Sequence, residues 1–175
     1  SNTNKEIIKL NSEKAQLYEQ IEKMLEENGR VLKNINHVTN NTINNDNSTV
    51  INQTNNIVIN GFGNEDLSHL TDAVMDKLIA SPANMINNLT KLIHFNKNMP
   101  QNMNMYIPSR KEKYIKIFNG NTWTYEAKSS KIPDIVDRNY LMLDSHYEDC
   151  GGNLRIGPEK SDNYKNYQKL MDGKI

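Results

Sequence analysis

The stretch IIKLNSEKAQLYEQIEKMLEENGRVLKNINHV, residues 7–38, decides how the rest of the chain is read. With Ile7 at heptad position a, the a positions are Ile7, Lys14, Ile21, Asn28 and Ile35, and the d positions are Leu10, Leu17, Met24, Val31 and Val38. Steps of three and four alternate without a slip. That is the seam of a coiled coil rather than the broader stripe of a globular helix. The flanking Glu, Lys and Gln are good helix formers at solvated positions. Lys14 and Asn28 at a positions fix register and low oligomer number, commonly a parallel dimer. Tyr18, Leu25 and Leu32 at e positions widen the face and favour three strands or contact with another part of the chain. The expectation is a parallel coiled coil, dimer or trimer; the competing reading is one amphipathic helix lying on the downstream domain. Gly29, at a b position, weakens such a helix by about 1 kcal/mol relative to Ala.

Beyond Val38 the period changes. Thr42-Ile43, Val50-Ile51 and Ile57-Val58-Ile59 recur, each β-branched and each bounded by Asn, Asp, Ser or Gly. Short runs of this kind separated by NNDN and TNN predict strands joined by turns. Such strands bury too little alone. Held together by a coiled coil, they pair between chains and close one another's edges. Residues 39–63 are therefore expected to form an intersubunit β-collar, with Ile43, Val50, Ile57 and Ile59 at the interface; a low-complexity linker is the competing reading.

Downstream, Gly61 and Gly63 form a turn, Asn64 is the expected N-cap, and Leu67, Leu70, Val74 and Leu78 mark a helical face. Ser81-Pro82 starts a second helix with Met85, Leu89, Leu92 and Ile93 inward. Met103, Met105 and Ile107 alternate. Tyr114 to Phe118 and Thr122 to Tyr125 flank Asn119-Gly120, a strong hairpin signal. Ser130 to Asp149 reads as a helix with Val136, Tyr140, Leu143 and Tyr147 on one side, and a short helix through Tyr164, Tyr167 and Leu170 follows Pro158. The fold class is α+β. The expected division is residues 1–38 coiled coil, 39–63 collar, 64–150 compact domain and 151–175 tail.

Composition narrows the setting. The 175 residues carry 21 basic and 21 acidic side chains, so no global field draws the chain to nucleic acid or anionic lipid. A mean hydropathy of −0.78 suits a small core with a polar extension. About one residue in six is Asn, a bias typical of AT-rich coding, so the sequons at Asn40, Asn47, Asn52 and Asn88 are read as unglycosylated. Cys150 is the only cysteine, which excludes an intrachain disulfide and fits a reducing compartment. No apolar run reaches membrane-spanning length. The opening SNTNKE, without an initiator Met, is expected of a fragment of a longer protein.

Three blocks carry a likeness: INGFGNEDLSHLTD (59–72), LIHFNKNMPQNMNMYIPSRKEKYIKIFNGNTW (92–123) and YLMLDSHYED (140–149). Together they resemble a C-terminal module of uncharacterised proteins of giant DNA viruses, mimivirus-like members of the nucleocytoplasmic large DNA viruses. The likeness covers roughly residues 5 to 150 and is most specific at His94-Phe95-Asn96 and Tyr106-Ile107-Pro108. It implies a viral, intracellular protein, in host cytoplasm or viral factory, whose relatives often carry a zinc-finger or other DNA-binding module upstream. It brings no catalytic residue, and no zinc-finger cysteines are present.

Little catalytic chemistry is legible. Histidines 37, 69, 94 and 146 share no metal-ligand spacing, and one cysteine completes no zinc site, so neither metal nor cofactor is expected. His94, Asn96, Asn102 and Asn104 faintly match ββα-metal nucleases in residue type but not in pattern. Asp144, Ser145 and His146 are triad residue types, yet adjacent helical residues point in different directions. Arg110, Lys111, Lys113 and Lys116, with Tyr106, Tyr114 and Trp123 nearby, form the one basic cluster with interleaved aromatics. The favoured reading is a solvated hairpin edge guarded by lysines with the aromatics in the core; the alternative is contact with phosphates and stacked bases. The expected function is non-enzymatic: homo-oligomerisation plus interaction with a viral or host protein, with nucleic-acid binding the alternative and a metal-dependent nuclease a distant third. No membrane role is expected.

Overall fold

The computed structural model describes residues 2–40, 57–151 and 155–172. The mixed helix and sheet architecture agrees with the α+β expectation. In chain order the elements are α1 (Asn2–Asn40), α2 (Asp72–Ile79), α3 (Pro82–His94), a single 3-10 turn (Pro100–Asn102), β1 (Met105–Tyr106), β2 (Tyr114–Phe118), β3 (Trp123–Ala127), α4 (Lys128–Asp149) and α5 (Pro158–Met171). The strands form an antiparallel sheet in the order β1-β2-β3. No helix among the described residues is long and apolar enough to cross a membrane.

Helix α1 runs the length the heptads predict, but its middle does not face a second subunit. Ile21, Met24, Leu25 and Asn28 are buried within the chain's own core, with Leu17 and Tyr18 packed at its margin. Ile21, Met24 and Asn28 are therefore removed from the predicted intersubunit seam, a correction toward the competing reading. The reason lies in the partner surface: the sheet edge offers hydrogen bonds as well as apolar area. Asn28 Nδ2 donates to the Met105 carbonyl at 2.7 Å, and the Ile107 amide donates to the Leu25 carbonyl at 3.1 Å. The polar a-position residue thus selects a strand of its own chain. Gly29 permits this approach, because a Cβ there would lie 2.6 Å from the Ile107 carbonyl oxygen. Ile35 and Val38 lie on the helix, but their side chains are outside the described residues.

Helix α2 starts later than Asn64. Its N-cap is Thr71, whose side chain accepts from the Val74 amide, with Asp72 in the first turn and Lys77 in the last, both favourable to the helix dipole. Residues 64–70 are instead a turn-rich approach. Helix α3 begins at Pro82, where a missing N–H costs nothing, and buries Met85, Leu89 and Ile93 as expected. Buried Asn139 on α4 donates to Thr90 on α3, so the polar pair is satisfied.

The hairpin forms around a four-residue connection, residues 119–122, in which Asn119 Oδ1 accepts from the amides of Asn121 and Thr122. Ile115 and Ile117 turn to the core. In the predicted collar, positions 43 and 50 lie outside the described residues, whereas Ile57 and Ile59 are described and belong to no strand. That segment spends its hydrogen bonds elsewhere: Asn60 N–H donates to the Gln101 carbonyl and Phe62 N–H to the Phe118 carbonyl, each at 2.7 Å. Gly61 passes so close to the hairpin loop that a Cβ would sit 2.8 Å from Asn119 and Gly120 backbone atoms.

Among the described residues one core is shared by α1, α2, α3, the sheet, α4 and α5, with Ile21 and Leu25 of α1 and Tyr164 of α5 inside it. Tyr164 on α5 is fully buried, its ring 4.6 Å from Tyr147, and its hydroxyl donates to Asp144 at 2.8 Å.

Candidate functional site

Two surfaces and one interior cluster gather the residues singled out from the sequence. The first surface is the leading portion of α1. Ile7 and Ile8 are 51 % and 69 % exposed and Val31 is 38 % exposed, while Leu10, Lys14 and Leu17 are half-buried. Leu10 and Leu17 share a groove of about 670 Å³ with Pro82, Tyr167, Leu170 and Met171. Burial, reinforced by the charge of Glu13, pushes the Tyr167 phenol up to about 12. Lys9, Glu13 and Lys14 put both signs of charge on the rim.

The second surface is the outer face of the sheet. Paired residues share a face, and the register aligns Tyr106, Lys116 and Tyr125 in one row and Phe118 with Trp123 in the next. The aromatics expected in the core lie on this outer face, because the interior side of β2 is filled by Ile115 and Ile117. Tyr114 and Tyr125 are 52 % and 64 % exposed. Their rings meet edge to face at 6.4 Å, and Tyr106 meets Trp123 at 5.1 Å. Lys116 Nζ sits 4.8 Å from the Tyr125 ring centroid and 5.8 Å from that of Tyr106, a cation–π arrangement. Its interaction with the Tyr125 side chain, above all, raises the Lys116 pKa.

The four expected cations do not converge on one patch. Arg110 reaches back to α1, 3.6 Å from Glu19 and 4.0 Å from Glu26. Lys111 and Lys113 are exposed in the connection before β2, while Lys116 lies over the rings. Near them Lys128 joins the same helix through Glu22 at 2.6 Å.

The interior cluster contains His94. Its Nδ1 lies 2.9 Å from Asn104 Oδ1, and Asn104 Nδ2 donates to Glu65 at 2.9 Å. With the amide nitrogen so committed, the histidine must donate from Nδ1. Glu65 also accepts from Arg138 at 2.8 Å and from the Gly63 amide at 3.0 Å. Glu65 is buried, which opposes ionisation; the Arg138 bond, the His94 charge and the Asn104 and Gly63 bonds outweigh this and hold it at about 2. Burial lowers His94 to about 4 against the opposing pull of Glu65. Phe62 stacks on the imidazole at 5.8 Å, and Lys131 and Arg138 lie over the Phe62 ring. At 1 % exposure the His94 ring has no open approach for a phosphate or a cation. Its neighbours Asn102 and Asn104 are equally buried, and Asn102 clamps Asp66 through both the amide N–H and the carbonyl. His94, Asn102 and Asn104 therefore tie the 61–66 loop to the sheet. The sequence reads Glu65 only as an acid at a helix start and does not mark Arg138; their pairing is invisible there, because charged residues 73 positions apart leave no local pattern.

No protein-family model, no curated protein and no solved structure matches this chain.

Proposed function

We propose that this chain is a non-enzymatic interaction module that associates with a second copy of itself through the leading portion of α1. The carrying observation is that this helix runs for about four turns before Leu17, its first residue packed on the core, with Ile7 and Ile8 exposed ahead of it. Helical segments of about 12–15 residues are marginal in water without a packing partner. The groove between α1 and α5 supplies an apolar floor with a rim of mixed charge, as a self-complementary contact needs. The buried middle of the helix confines such a contact to its ends. The likeness of three sequence blocks to giant-virus modules supports an intracellular viral setting and a further viral or host partner.

Sedimentation of the wild-type chain at micromolar concentration tests this proposal against Ile7→Glu/Leu10→Glu. Wild type is expected above the 20.2 kDa of one chain, and the double variant at one chain with unchanged melting of the core. A fully folded wild-type monomer refutes the proposal.

The outer face of the sheet favours a second reading, binding of single-stranded nucleic acid. Exposed aromatic rings around a lysine form a stacking platform, and each base stacked on such a ring contributes about 1–3 kcal/mol. Anisotropy with a single-stranded oligonucleotide should show binding that weakens with salt. Tyr114→Ala/Tyr125→Ala should reduce affinity by about tenfold or more, and Lys111→Ala/Lys113→Ala should flatten the salt dependence. Absence of binding at low salt eliminates this reading.

A further inference from the structure

Helices α2 and α4 each present a pair of metal-binding side chains one turn apart. Asp72 and Asp76 are spaced i,i+4 on α2; His146 lies in the last turn of α4 and Cys150 at its C-cap, again i,i+4. This spacing puts both members of a pair on one face of a helix. Where the helices pack, the two faces meet. His146 Nε2 lies 2.7 Å from Asp76 Oδ1 and 3.8 Å from Cys150 Sγ. Asp76, His146 and Cys150 place one donor atom each within 4.8 Å of the others, the one such group of three among the described residues.

We propose that Asp76, His146 and Cys150 form a zinc-binding site that clips α2 to the end of α4. The donor distances suit a tetrahedral ion. Zinc bonds of about 2.0 Å to nitrogen and oxygen and about 2.3 Å to sulfur imply donor separations of about 3.3–3.6 Å. Asp76 and His146 need only open from a hydrogen bond, and Cys150 closes in by a fraction of an ångström to about an ångström. Asp72 Oδ1 lies 4.0 Å from Nδ1 on the other side of the imidazole. That is beyond hydrogen-bond distance and Asp72 is exposed, but on closing by about 1 Å its carboxylate would accept the Nδ1–H and hold the tautomer that presents a bare Nε2, a common support for metal-bound histidine. A water completes the coordination.

The same geometry disfavours a cysteine–histidine–aspartate catalytic relay. Such a relay needs the carboxylate on one ring nitrogen and the nucleophile on the other. Asp72 and Cys150 do lie toward opposite ring nitrogens, but Asp72 is 4.0 Å from Nδ1, outside hydrogen-bond reach, and Asp76 holds Nε2 at 2.7 Å while Cys150 stands 3.8 Å away. On zinc binding, the imidazole, whose Nε2–H faces Asp76 at 2.7 Å, passes to its Nδ1–H tautomer, the thiol proton leaves to solvent, and Nε2, the sulfur and the Asp76 oxygen each donate an electron pair to the ion, with no redox change. The donor set of one imidazole, one thiolate and one carboxylate suits zinc better than the all-oxygen sites of calcium or magnesium.

The test uses the whole chain, stripped with a chelator and titrated with cobalt(II) as the probe. Wild type is expected to bind one ion per chain with thiolate-to-cobalt charge-transfer absorption in the near ultraviolet, displaced by zinc. Zinc should raise its melting temperature and protect Cys150 from a thiol reagent. Cys150→Ala and His146→Gln should lose the absorption and the thermal shift, and Asp72→Asn should weaken binding by about tenfold. Absence of charge transfer in wild type overturns the proposal, as does zinc bound equally well by Cys150→Ala. If His146→Gln fails to fold, the half-buried Cys150 position decides alone.

Discussion

Replacing Gly29 by Ala separates two accounts of the leading helix by the sign of one number. At a solvated coiled-coil b position the change should stabilise the helix by about 1 kcal/mol. In the observed fold the added methyl carbon would lie 2.6 Å from the Ile107 carbonyl oxygen and 3.1 Å from the Tyr106 ring. Ordinary contact requires α1 and β1 to separate by about half an ångström or more. The two bonds joining them, Asn28 to Met105 at 2.7 Å and Ile107 to Leu25 at 3.1 Å, must then stretch. Overpacking costs about 1–3 kcal/mol, and weakening the bond of a buried amide costs about 1–3 kcal/mol. After the propensity gain, a net loss of about 2 kcal/mol is expected. With a urea slope of about 2 kcal/mol/M, the midpoint should fall by about 1 M. The sole tryptophan, Trp123, stands beside Tyr106 and reports the junction by fluorescence, while far-ultraviolet dichroism reports the helices. Coincident midpoints validate a two-state treatment. A midpoint at or above wild type would show that α1 does not rest on β1, and the account of the fold would fail at its central contact. Asn28→Ala offers an internal control, since its loss and that of Gly29→Ala should be less than additive in the double variant.

Acid should destabilise the protein in two stages. An unfolded histidine takes its proton near 6.5, whereas native His94 resists to about 4. The unfolded state therefore binds more protons between those values, and stability falls as pH drops through that window. Glu65 titrates near 4.5 when unfolded and at about 2 when folded, so its contribution is full above 4.5 and is lost from there downward. Urea midpoints measured from pH 7 to 3 should show the decline, and His94→Gln should flatten its upper part. Glu65→Gln should cost about 3 kcal/mol at pH 7, because it strips Arg138 of its carboxylate partner; an unchanged denaturation midpoint would deny that the cluster secures the 61–66 loop. Tyr164→Phe removes a bond to the charged Asp144, and about 1.5 kcal/mol is expected, a fall of about 3–6 °C in melting temperature. No shift would mean that α5 contributes packing alone.

The amino-acid sequence by itself determined the elements whose forces act over a few residues. The three-four period of residues 7–38, the Ser81-Pro82 start of α3, the Asn119-Gly120 connection and the inward side of α4 all follow from neighbours one turn or one strand step apart. The tertiary structure decided what each apolar face meets. A heptad seam states that a surface must be covered and is silent on whether a second chain or the chain's own strand covers it. For Ile21, Met24 and Asn28 the sheet edge won, because its free carbonyl at Met105 satisfies the Asn28 amide. In the hairpin, YIKIF is apolar on both sides, so alternation alone could not choose the interior face; α4, following directly from β3, closed the isoleucine side and left the aromatic rings outside. Asn64 was overruled as a cap because the residues after it serve the buried Glu65 cluster, and the helix waits for Thr71. The pairs Asp72/Asp76 and His146/Cys150 are each visible in the sequence. Their meeting across 70 residues exists only because packing brings two helix faces together, and such a distance in the chain carries no periodic trace.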